Sequence, residues 1–235
     1  MVSLFLKRRG NGLKAPGWAY GLGLLCVKLA ALALLIAAGP ARADSMLKIL
    51  ALGDSLTAGY GLSESESYPV KLQAALRAKG IEAQVINGGV SGETSAGGLA
   101  RLDWALADDP DIVIVELGAN DGLRGLDPAK TQENLDAVLK RLTEEKRAVL
   151  LTGMLAPPNM GSDYGDDFKS IYPALAVKYG VRLYPFFLEG VAADPQLNQA
   201  DGIHPTGAGV DIIVSRLLPE VMAVIDSLKQ SAAGG

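Results

Sequence analysis

From residue 44 onward, short unbroken apolar runs alternate with longer stretches whose apolar residues recur every three or four positions. "LKILALGD" (47–54), "AQVINGG" (83–89), "DIVIVELG" (111–118) and "AVLLTGM" (148–154) have the apolar character of parallel strands covered on both faces. "VRLYPFF" (181–187) predicts a fifth strand. Residues 68–79 place Tyr68, Leu72, Ala75 and Leu76 on one helical face, with Pro69 near the start and Gly80 just past the end. Residues 128–145 do the same with Leu135, Val138, Leu139 and Leu142, and residues 207–229 with Val210, Ile213, Val214, Leu217 and Leu218. Strands alternating with helices at this spacing predict βαβ units with right-handed crossovers. The expected fold is α/β, a three-layer α/β/α sandwich on about five parallel strands. Residues 44–235 read as a single domain without internal repeats.

The first 43 residues follow another pattern. They carry six basic side chains and no acidic one, then the apolar run "LAALALLIAAG" (29–39) and "ARA" at 41–43. A basic start, an apolar middle and small residues at −3 and −1 predict a secretory signal peptide cleaved between Ala43 and Asp44, hence a periplasmic or secreted protein. An uncleaved anchor is the competing reading, but Lys28 interrupts the span that would cross the bilayer.

Without that segment the chain keeps 16 Lys and Arg against 26 Asp and Glu, an acidic balance that argues against nucleic acid as a partner. Cys26 leaves with the signal, which excludes disulfides, thiolate metal sites and a cysteine nucleophile. With one histidine left, a catalytic zinc would need mostly carboxylate ligands, which disfavours metal catalysis.

In a doubly covered parallel sheet, ligands bind beyond the carboxyl ends of the strands. After the first strand comes "GDSLTAGYG" (53–61), where Ser55 opens a helical turn whose dipole would favour an alkoxide; Asp-Ser is also ordinary helix-capping chemistry. After the second comes "NGGVSGETS" (87–95), in which Gly92 can bring its N–H close to a substrate oxygen, or merely make a tight turn. Ser91 and Glu93 read as turn or cap residues. The third strand ends in "ELGANDG" (116–122), where Asn120 is either an amide donor at the sheet edge or a turn former. The fourth stretch, "DGIHP" (201–205), holds the only histidine, His204, three residues after Asp201. Together they make a hydroxyl nucleophile, two oxyanion donors, a base and its orienter. The G-x-S-x-G elbow of the α/β-hydrolases is absent: the corresponding residues are Gly53-Asp54-Ser55-Leu56-Thr57.

These stretches resemble the blocks of the SGNH (GDSL-type) hydrolases, in the right order across nearly all of residues 44–235. Ser55 matches the nucleophile, Gly92 the oxyanion glycine, Asn120 the oxyanion asparagine, and Asp201 and His204 the D-x-x-H pair. "ALGDSLTAGYGL", "VELGANDGLRG", "IYPALA" and "DGIHP" are similar to the thioesterase, lysophospholipase and arylesterase enzymes of that family; Ala119 stands where many have a second glycine. The resemblance implies a flavodoxin-like sheet, no metal or organic cofactor, and hydrolysis of acyl esters and thioesters, lysophospholipids and aryl esters among them, through an acyl-enzyme. The backbone N–H of Ser55 would join Gly92 and Asn120 in holding the oxyanion. The expected partners are small acyl substrates, with a membrane met only through the signal or a lipid substrate and no protein partner.

Leu123, Leu126, Leu155, Pro157 and Met160 lie in loops expected to flank the site and offer apolar contact suited to an acyl chain. A carbohydrate O-deacetylase on the same scaffold is the alternative enzyme. A non-catalytic binding module would leave all four motifs as unrelated loop residues. With a single histidine, activity is expected to rise through one ionisation, that of His204.

Overall fold

The computed structural model describes residues 46–233. The strands β1 (Leu47–Gly53), β2 (Ala83–Gly89), β3 (Ile112–Glu116), β4 (Ala148–Thr152) and β5 (Arg182–Tyr184) form one parallel sheet in the order β2-β1-β3-β4-β5. The chain begins in the middle, steps aside for β2, then returns past β1, so a switch point lies between β1 and β3. There the connections diverge to opposite faces and leave a crevice at the carboxyl edge.

The helices are α1 (Ser55–Ala58), α2 (Tyr68–Ala78), α3 (Ser95–Ala100), α4 (Leu102–Ala105), α5 (Ala119–Leu123), α6 (Pro128–Glu144), α7 (Ser162–Tyr179) and α8 (Gly207–Ala233). α2 packs on α8 over one face of the sheet; α6 packs between α3 and α7 over the other. Both faces being covered, consecutive residues of the central strands are buried: Ile49 to Leu52 in β1 and Ile112 to Val115 in β3. Edge strand β2 is covered less completely, with Ala83 and Val85 buried, Gln84 exposed between them, and Asn87 exposed nearer the carboxyl end. The predicted helical faces are inward as expected: Tyr68, Leu72 and Leu76 in α2, Leu135, Val138, Leu139 and Leu142 in α6, and Val210, Ile213, Val214 and Leu217 in α8.

The short helices α3, α4 and α5 were not among the predicted elements, and two longer segments also depart from the sequence reading. β5 stops at Tyr184 because Pro185 has no N–H to extend the ladder. α7 was not expected, since a polar opening and the interior Pro173 obscure its period. Burial of Phe168, Ile171, Tyr172 and Leu175, spaced as one helical face, outweighs the hydrogen bond that Pro173 cannot donate.

Candidate active site

β1, β2 and β3 end level with one another, Gly53 registering with both Gly89 and Glu116. The three turns that follow these ends therefore meet. Asp54 caps α1 by accepting the Leu56 N–H at 3.0 Å and lifts Ser55 to the sheet rim. Gly53 must be glycine: a Cβ there would sit 2.1 Å from Thr57 Oγ1 and 2.5 Å from Glu116 Oε2. α1 is the helical turn expected at Ser55, but with only four residues its dipole is that of few peptide units.

The fourth stretch reaches the same place from the far end of the chain. Asp201 Oδ1 accepts the N–H groups of Ile203 at 2.9 Å and His204 at 3.0 Å, a local turn that brings Oδ2 within 2.7 Å of His204 Nδ1. The His204 N–H and imidazole, together with the Ile203 N–H, hold the Asp201 carboxyl down to about 2. An ionised carboxylate only accepts, so Nδ1 carries the proton. Nε2 then faces Ser55 Oγ at 2.9 Å as an acceptor. Gln199 fixes this loop by donating to the carbonyls of Tyr60 and Pro205, and the Tyr60 ring lies 4.5 Å from the imidazole, centroid to centroid.

Gly92 sits at φ +80°, a conformation that a side chain would strain. Asn120 Nδ2 donates to Asp54 Oδ2 and to the Glu93 carbonyl, both at 3.0 Å. All five residues singled out from the sequence, Ser55, Gly92, Asn120, Asp201 and His204, thus converge on one rim. Beside Ser55 opens a cavity of about 390 Å³ whose walls include Leu123, Met154, Pro157, Phe186, Leu188 and Ile203. Leu155 also lines it, whereas Leu126 and Met160 do not; Met160 packs toward Gly125. A larger cleft of about 580 Å³ runs beside Arg147, Val181 and Ser227 at the opposite end of the sheet, away from this chemistry.

This arrangement can pass a proton from a hydroxyl to an imidazole braced by a carboxylate, beside an apolar recess. Residues 51–212 match the GDSL-like lipase/acylhydrolase family. The chain belongs to that family. It is 40% identical to Esterase TesA of Pseudomonas aeruginosa over 83% of this chain and 96% of that protein. Against thioesterase 1/protease 1/lysophospholipase L1 of Escherichia coli K12 the identity is 39%, over 79% and 88% respectively. The crystal structure of AlinE4, an SGNH-hydrolase family esterase, superimposes with a TM-score of 0.66 at 51% identity, over 77% of this chain and 97% of that one. The chain is therefore an ester hydrolase on the expected α/β scaffold.

Several residues of this hydrolase's site escaped the sequence reading. Glu93 closes a turn as expected, its N–H donating to the Val90 carbonyl at 3.1 Å, and also forms a largely buried ion pair with Arg101. Glu116, wholly buried behind α1, accepts the Thr57 hydroxyl at 2.8 Å and the Asp54 N–H at 3.3 Å. Burial, then the neighbouring Asp54 charge, raise its carboxyl well above the usual range. Burial also pushes Asp54 up to about 6, against the opposing hydrogen bonds from Leu56 and Asn120. Asp54 is thus a buried titratable group beside the proposed machinery that the single-histidine reading did not include. Asp121 receives the Ser95 N–H and hydroxyl and the Thr131 hydroxyl, anchoring the Asn120 turn. The available signal was a charge at the end of an otherwise apolar strand, as in "IVIVELG".

Proposed function

We propose that this hydrolase cleaves acyl esters and acyl-thioesters, lysophospholipids included, through an acyl-enzyme on Ser55. Ser55 Oγ attacks the carbonyl carbon while His204 Nε2 takes its proton. Asp201 orients the imidazole and stabilises its cation. The oxyanion rests on the N–H groups of Ser55 and Gly92 and on the Asn120 amide, which exchanges its contact with the Glu93 carbonyl for the more highly charged oxygen. His204 then protonates the leaving group, and water repeats the sequence to release the acid.

The observation that carries this reading is the unbroken relay from Ser55 Oγ through His204 to Asp201, at 2.9 and 2.7 Å, opening onto an apolar cavity. The relatives named as an esterase and as a thioesterase/lysophospholipase support the substrate class. The apolar walls favour an acyl chain over the polar cleft that a carbohydrate O-deacetylase would present. Residues 1–43 act as the secretory signal and deliver the enzyme to the periplasm or beyond. Their basic, apolar and small-residue order supports this, and they lie outside the described residues. Among the described residues no helix is long and apolar enough to cross a membrane.

The test is hydrolysis of p-nitrophenyl esters from acetyl to palmitoyl by the wild type and Ser55→Ala. Activity that vanishes with Ser55 and peaks at medium or long chains is expected. A peak confined to acetyl would favour the deacetylase, and activity indifferent to Ser55 would overturn the site.

A further inference from the structure

The geometry points to Arg101 as the positioning residue that sets the spacing of the two backbone oxyanion donors, acting through Glu93. This inference rests on the reading of Ser55 and Gly92 given above. Those donors lie on different turns, one after β1 and one after β2. Their strands pair as far as Gly53 and Gly89, and one further bond, from the Val90 N–H to the Gly53 carbonyl at 3.0 Å, is the last between them before either donor is reached. Gly92, at φ +80°, turns away from the sheet; its own carbonyl accepts from the exposed Arg124 side chain at 2.6 Å, and the turn closes with Glu93 N–H donating to the Val90 carbonyl at 3.1 Å.

Arg101 reaches all three segments at once from its place between α3 and α4. Its Nε donates to both carboxylate oxygens of Glu93 at 2.8 Å, one residue after Gly92. Its Nη2 donates to the Gly53 carbonyl at 3.1 Å, two residues before Ser55, and to the Gly88 carbonyl at 2.7 Å near the end of β2. The same Nη2 also bonds Glu93 Oε2. The side chains of Arg101 and Glu93 are 15% and 8% exposed, so water competes little with these contacts. A planar fork of donors can hold three acceptors in fixed directions, whereas the ammonium of a lysine is a single point. A buried ion pair adds little net stability compared with apolar packing, but it does fix geometry. Displacing a donor by about 1 Å can cost on the order of 100-fold in rate.

The experiment compares oxygen esters with the matching thionoesters, whose developing sulfur anion gains little from oxyanion donors. Arg101→Lys keeps the charge and loses the fork; Glu93→Gln keeps an acceptor and loses the charge, and serves if the first variant folds poorly. Asn120→Ala is the control for the oxyanion reading itself. Arg101→Lys is expected to lower kcat on the oxygen ester about 10- to 100-fold with KM nearly unchanged. It should also shrink the ester-to-thionoester rate ratio, as Asn120→Ala does, with Glu93→Gln following more mildly. If Asn120→Ala shrinks the ratio and the Arg101 and Glu93 variants leave it at the wild-type value, Arg101 is merely structural and the inference falls. If Asn120→Ala itself changes neither rate nor ratio, the oxyanion reading fails and takes this inference with it.

Discussion

Replacing Asp54 with Asn should make the enzyme more stable above neutrality and less active. The wild-type carboxyl is wholly buried and titrates at about 6 rather than 3.8. Between those values the unfolded chain gives up its proton and the folded protein keeps it. Fewer protons are then bound in the unfolded state, so stability falls as pH rises through this window and levels off above about 6. Moving the carboxyl from 3.8 to about 6 corresponds to about 3 kcal/mol, most of it lost between roughly pH 4 and pH 7.5. Asparagine keeps the cap on Leu56 and has no charge to bury. Any loss of the Asn120 contact is an offset common to both pH values. In thermal melts, the midpoint of Asp54→Asn relative to wild type should therefore climb by about 5–10 °C between roughly pH 4 and pH 7.5. Because Asn120 loses its carboxylate anchor, kcat should fall about 10-fold in the same variant. A midpoint difference that stays constant across pH would refute the argument, since it would mean that ionising Asp54 in the folded state costs nothing.

The same ionisation should appear in catalysis. The wild-type kcat/KM profile is expected to carry the Asp54 ionisation on its acid side, and that of Asp54→Asn to lack it. Asn120→Ala should lower kcat about 10²- to 10³-fold, measured on a medium-chain p-nitrophenyl ester. Gly53→Ala forces a methyl against Thr57 and Glu116, so it should cost about 1–3 kcal/mol in denaturant unfolding and displace Ser55 enough to depress kcat. Ala156→Phe, on the cavity wall, should narrow the recess. Octanoyl ester turnover should then fall at least about 10-fold relative to acetyl; an unchanged chain-length profile would show that acyl chains bind elsewhere.

Much of this protein is legible in local sequence. The central strands reveal themselves because a sheet covered on both faces demands apolar residues at consecutive positions, as in "KILAL" and "DIVIVE". The Asp201–His204 pair is legible because three residues of a tight turn suffice to build it. Where the chain is less regular, the reading thins: Pro173 conceals α7, and Pro185 cuts β5 short. The cavity was half visible. Leu123, Leu155 and Pro157 were found after their strands, while Phe186 was read as part of a strand, Ile203 only as part of the His204 motif, and Leu188 lay outside every predicted element.

The sequence by itself determined the layer order, the central strands, three of the covering helices and the five residues of the proposed machinery, because each rests on local periodicity or a short motif. Tertiary structure alone decided how those residues are held. His204 meets Ser55 across 149 positions of chain, and Arg101 reaches Gly53 across 48. The raised Asp54 and Glu116 carboxyls depend on burial behind α1, and desolvation is a property of everything packed around a group. Sequence spacing carries no measure of that.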